Sequence, residues 1–205
     1  MTSSRFLELE KRIGELRHSF LPPLFDPTVL YEEIVYEHTR AFRVLAHAEF
    51  ESYIEDRVLE VLDTAFSVWK ADGAISVSLL AVVAYRESAP SIPESLNDAA
   101  ARPAKYPTLE GRIEAARTDF HRYVRKQNHG IKEKNLLRLL LSVGLQEVEI
   151  NPGWLDVTET WATARGDAAH KGAKVQVRPD PQKELKTVND VLDGFRGLDN
   201  IMASK

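Results

Sequence analysis

Arg165 and His170 stand four residues apart in WATARGDAAHKG, the stretch from Trp161 to Gly172. An arginine and a histidine held together at a helix terminus suit metal-free chemistry on RNA phosphates: the guanidinium binds the anion and the imidazole moves a proton. Spacing alone does not select this pair. With 16 arginines and 6 histidines in 205 residues, an arginine followed by a histidine after four to six residues is expected roughly 1.4 times by chance. The pattern occurs as Arg12–His18, Arg40–His47, Arg122–His129 and Arg165–His170.

Context separates these pairs. Five helical steps rotate by ~500°, which leaves two side chains ~140° apart unless the helix ends or distorts. Gly172 suits a C′ position and would put His170 in a last turn. The dipole at such a terminus favours the imidazolium, the form in which histidine gives a proton to a leaving oxygen. Ala168 and Ala169 admit a close backbone, and Lys171 and Lys174 add positive charge. Arg40–His47 falls mid-helix, where the histidine reads as a core or half-buried residue. A helix C-terminus also attracts cations for its dipole alone, so the residues by themselves leave both readings of Arg165–His170 open.

The elements that must position these residues are helical. Positions 5–19 carry apolar residues at helical spacing and stop at Pro22-Pro23. Asp26-Pro27 reads as an N-cap and a first helical residue, opening a segment that runs to about Ala71. A helix of ~45 residues would span ~65 Å, so a bend, a break or an extended partner interface is expected. Ser76 to Tyr85 reads as helix, with a strand as the alternative. Residues 87–108, with Pro90, Pro93, Pro103 and Pro107, read as a long loop. Further helices are expected at 109–127, 132–143, 154–171 and from Pro181 to about Met202, with a short extended segment at 174–178. The expectation is an all-α bundle with one long helix in its N-terminal half and a proline-rich loop. Residues 1–26 are set apart as an N-terminal helix or appendage, and 27–205 form the main domain.

The totals narrow the chemistry. There is no cysteine, which removes disulfides and cysteine-ligated metal centres. MTSSRFLELEKRIGELR has no continuous apolar run, so neither a signal peptide nor a membrane span is expected there, and the expected location is cytoplasmic. Net charge is −4, but it is unevenly spread. From Asp26 to Asp63 ten acids face three bases, and from Arg102 to Arg138 ten bases face four acids. That asymmetry suits either one basic face for phosphate contacts or two solvated helix surfaces.

Three segments together resemble the HEPN superfamily, and within it the RiboL-PSP-HEPN branch. They are RAFRVLAHAEFESYIEDRV from Arg40, NHGIKEKNLLRLLLSVGL from Asn128, and LDVTETWATARGDAAHKG from Leu155. The resemblance spans roughly residues 28–202. It implies a helical bundle that dimerises so that two Arg-x4–6-His motifs face each other. The implied activity is metal-independent endoribonuclease action, often in toxins or antiphage effectors, with no cofactor. Carried over, Arg165 would bind the scissile phosphate and His170 would transfer the proton. The RNA 2′-hydroxyl would be the nucleophile and a cyclic phosphate the first product. Gly166 departs from the polar residue that commonly follows the arginine in active members; Asp167, one place later, is the substitute on offer. Some members only bind RNA or proteins, so the alternative is a non-catalytic module of a defence or toxin–antitoxin system, with an antitoxin or other defence protein as partner.

Arg122, Arg125 and Lys126 are the candidates for RNA backbone contacts beyond Asp167, Lys171 and Lys174. His129 reads as a helix-end residue that could line the cleft. Trp69, Trp154 and Trp161 read as core rather than as base-stacking surfaces. Glu49, Glu51, Glu55 and Asp56 read as a solvated surface rather than as metal ligands.

Overall fold

Among the described residues, seven helices and one 3-10 turn build an all-α structure. The computed structural model describes residues 2–26, 28, 30–86, 93, 95, 97, 108–170 and 178–205, without the side chains of 166–170. The helices are α1 (Ser4–Phe20), α2 (Glu33–Asp72), α3 (Val77–Arg86), α4 (Leu109–Lys126), α5 (Glu133–Ser142), α6 (Pro152–His170) and α7 (Pro181–Met202), with the 3-10 turn at Glu147–Glu149 between α5 and α6. Among the described residues there is no strand, and no single helix is long and apolar enough to cross a membrane.

α2 is the spine. Its 40 residues run unbroken over about 60 Å at 1.5 Å per residue, and every other helix packs against it. Its buried residues lie all around the axis, from Phe42, Ala46 and Phe50 to Tyr53, Ile54, Val58 and Leu62. A helix surrounded by other helices needs such a wide apolar surface. The expected break is not there: α2 is one continuous helix. Its start differs from the sequence reading. Asp26 accepts from the Thr28 amide at 2.9 Å and the Thr28 hydroxyl at 2.7 Å, so it caps a local turn, and the helix begins at Glu33. Gly73, at φ 76°, ends α2 in the left-handed region that favours glycine, and the chain bends by 110° into α3. The Ser76–Tyr85 stretch is thereby helix, not strand.

α1 places Phe6, Leu9, Ile13 and Leu16 in the same core as α2 and α7. Its capping residue Ser3 donates from both backbone and hydroxyl to Asp199 of α7, at 2.7 Å each. Asp199, fully buried, also accepts from the Tyr53 hydroxyl and Arg57 Nε of α2, both at 2.9 Å. One carboxylate thus ties the first, second and last helices together.

Part of the uneven charge is taken up in pairing between helices. The acids of α2 pair with the bases of α1 and α4: Asp56 with Arg5 and Arg125, Asp63 with Arg117 and His121, Glu49 with Arg12. Lys70 of α2 pairs in turn with Glu110 of α4. Asp56–Arg125 and Asp63–Arg117 join the acidic run to the basic one, while Arg122, Arg125 and Lys126 stay exposed on α4.

Candidate functional site

Arg165 lies four turns into α6, on the face turned towards α2. Three features direct that face. Asn151 Oδ1 accepts from the Trp154 amide at 3.2 Å and starts the helix. Trp154 and Trp161 are buried; their indole N–H groups donate to the Val191 carbonyl at 3.1 Å and to Glu184 at 2.7 Å. Glu184 is also held by Arg43 through both of its oxygens. With Trp161 clamped between α2 and α7, Arg165, one turn further along, is directed to the α2 surface.

The group it meets there is His47. The imidazole is almost fully buried, lies 5.8 Å from the Trp161 ring, and has no hydrogen-bond partner on Nδ1. Burial and the neighbouring Arg165 charge together lower its pKa to about 4, so it is neutral at pH 7. Glu51 Oε2 lies 3.8 Å from Nδ1, beyond a hydrogen bond, and the other Glu51 oxygen accepts from the Gly130 amide. Arg165 is half-buried, and its Nε is buried without a hydrogen-bond partner. No carboxylate among the described side chains pairs with it. A cation set beside a neutral ring rather than a carboxylate keeps its capacity for an outside anion.

The turn between α4 and α5 closes the other side. Gly130, at φ 98°, brings its backbone against His47: a side-chain carbon there would stand 3.5 Å from Cε1. Asn128, buried, donates to Glu55 Oε1 at 2.8 Å, and its own Oδ1 is buried without a partner. Burial, opposed by the Asn128 bond, raises the Glu55 carboxyl above its usual range. Asn135 braces the turn through the His129 and Gly130 carbonyls, at 2.8 and 3.2 Å. Glu159 of α6 accepts from the first amide of α5 at 2.8 Å.

The sequence-derived candidates fall into three groups. Arg165 is at this junction. His170 and Asp167 follow it on α6, which is helical through His170, but their side chains lie outside the described residues, as do Lys171 and Lys174 altogether. Arg122, Arg125 and Lys126 are exposed in the last turns of α4. Arg122 is paired with Asp119, and Arg125 with Asp56 at 2.9 Å. Such exposed pairs are worth little, so a phosphate can compete for both arginines. His129 is exposed, and its carbonyl, not its ring, holds the turn. Trp154 and Trp161 are buried in the core, and Trp69 is half-buried against Phe66.

His47 is buried, as the sequence reading of a core or half-buried residue had it, but neither it nor Glu51, Glu55 and Asn128 was assigned to the site. The two glutamates, read as solvated, are in fact bonded to the α4–α5 turn. The one available signal was Gly130: a glycine following Asn128-His129 marks a backbone held in a special conformation. Among the described residues no group of three or more histidine, aspartate or glutamate side chains is arranged to hold a metal ion. Comparison with known protein families, curated proteins and solved structures finds no match to this chain.

Proposed function

We propose that the chain is a HEPN-type, metal-independent endoribonuclease, a toxin or antiphage effector, that acts as a homodimer. The supporting observation is convergence. The three segments that resemble this superfamily, more than 80 residues apart at their extremes, meet at one point: His47 from the first, Gly130 from the second, Trp161 and Arg165 from the third. That point holds a half-buried arginine with no carboxylate partner among the described side chains.

In this reading Arg165 binds the scissile phosphate and stabilises the charge that develops on it. His170 exchanges a proton with the reacting oxygens. The 2′-hydroxyl attacks phosphorus, the P–O5′ bond breaks, and the leaving oxygen takes a proton. The products are a 2′,3′-cyclic phosphate and a 5′-hydroxyl. His47 is a positioning residue: neutral and buried, it fixes Arg165 without neutralising it. Gly166, in place of a polar residue, favours a second reading, a non-catalytic RNA- or protein-binding module in a defence or toxin–antitoxin system.

The test is the chemistry of the product ends. Purified protein is given an oligoribonucleotide and its counterpart with 2′-deoxy sugars throughout. The ribonuclease reading expects cyclic-phosphate and 5′-hydroxyl ends from the first and no cleavage of the second. Equal cleavage of both, or 5′-phosphate ends, contradicts it; binding of RNA without cleavage selects the second reading.

A further inference from the structure

Away from Arg165, a cavity of about 440 Å³ opens between α3, α4 and α5. Its lining includes Tyr85, Arg86, Tyr123, Gln127, Leu137 and Arg138. The volume is in the range that holds small organic ligands and exceeds what a bare inorganic anion needs.

Arg86 is the unusual member. Only 15% of its side chain is exposed, and its Nε is buried with no hydrogen-bond partner. Its guanidinium lies over the rings of Tyr123 at 4.2 Å and Phe120 at 5.1 Å. The nearest carboxylate, Asp119, is 4.0 Å away, and its other oxygen is engaged by Arg122. Arg138 is close enough for its charge to add to the effect of burial, and together these push the Arg86 guanidinium below the usual arginine range. Among the described residues no carboxylate pairs with Arg138. Two arginines thus line one cavity and, among the described residues, the one carboxylate beside Arg86 is shared with Arg122. A desolvated cation this weakly compensated favours binding an anion.

The rest of the lining bears on what the anion carries. Tyr85 is exposed at 61% on the last turn of α3, leaving its ring open to a planar group. Gln127, at the end of α4, offers both a donor and an acceptor. We propose that this cavity binds a nucleoside monophosphate, with the phosphate between Arg86 and Arg138 and the base against Tyr85. This assignment does not rest on the ribonuclease reading, since none of its residues belongs to the Arg165 junction.

Calorimetric titration of the full chain with adenosine 5′-monophosphate, adenosine and inorganic phosphate tests it. The nucleotide is expected to bind saturably at one site per chain and more tightly than either of its parts. Arg138→Ala weakens binding of both nucleotide and phosphate by about tenfold or more. Tyr85→Ala weakens the nucleotide alone. Both positions are exposed, so these variants keep the fold. Arg165→Ala leaves nucleotide binding unchanged, which separates this site from the catalytic proposal. Absence of saturable binding, or wild-type binding by both Arg138→Ala and Tyr85→Ala, overturns the proposal. Loss in Arg165→Ala places the ligand elsewhere and also overturns it. Equal affinity for phosphate and nucleotide overturns the nucleoside assignment.

Discussion

His47 and Arg165 form a pair in which only one partner is charged. Protonating His47 would place a charge in a buried site and, second, set it beside the Arg165 cation; its depressed pKa expresses both costs. The folded value of about 4 lies below the ordinary histidine value of 6.5. The unfolded chain therefore binds the proton first, and stability is lost as pH falls from about 6.5 through about 4. The loss attributable to His47 approaches 3 kcal/mol in order of magnitude. Urea titrations at pH 7 and pH 4.5 should show a steeper acid loss for wild type than for His47→Leu; parallel losses would contradict this. Arg165→Ala removes the smaller of the two causes. NMR titration of the imidazole should then show its pKa rising, yet staying below 6.5 because burial remains. Arg165 could be singled out from the sequence because helix-end glycine, small residues and lysines cluster around it. His47 could not, since nothing local distinguishes a buried histidine from one facing an arginine 118 positions away. That contact exists only once α2, α6 and the Gly130 turn are packed.

Helices were legible where apolar spacing and terminal residues agreed. Thr108 caps α4 by accepting from the Gly111 amide at 3.1 Å, and Asp180 caps α7 by accepting from Lys183 at 2.7 Å. The start of α2 was not legible, because an aspartate before proline serves a turn as readily as a helix. Glycines inside one helix also carry opposite meanings. In α7 a methyl group on Gly194 would overlap the Trp154 indole, whereas one on Gly197 meets nothing within 4 Å. Gly194→Ala should destabilise by about 1–3 kcal/mol as the buried indole is displaced. Gly197→Ala should stabilise by about 0.4–1 kcal/mol. Urea midpoints check both; similar shifts of the same sign would contradict the packing described for α7. Gly144 is constrained twice, by φ 88° and by a would-be side chain 2.9 Å from Val77 Cγ1, and it ends α5 where α3 crosses.

The whole molecule is held by α2 and by the Asp199 carboxylate. Burial alone would raise that carboxyl, but the bonds from Ser3, Arg57 and Tyr53 outweigh it and hold it below the usual range. Asp199→Ala would leave the Arg57 and Tyr53 groups buried without this acceptor, a loss on the order of 3–5 kcal/mol. The α1–α7 contact should loosen first, read as faster hydrogen exchange in α1 than in α5. Uniform exchange across both would contradict that role. At this scale the sequence was legible in class. In charge it left a basic face and solvated surfaces both open, because the pairing of Asp56 and Asp63 of α2 with Arg125 and Arg117 of α4 is invisible until both helices are placed. Among the described residues, the proposed ribonuclease would have Arg165, the exposed and weakly paired Arg122 and Arg125, and Lys126 to offer an RNA. The most direct measurement is cleavage of a mixed RNA pool in EDTA by wild type, Arg165→Ala and His170→Ala, each first shown to be folded by circular dichroism. The account predicts cleavage by wild type and loss in both variants. Cleavage that persists in the two variants, or a folded wild type that leaves the pool intact, would contradict it.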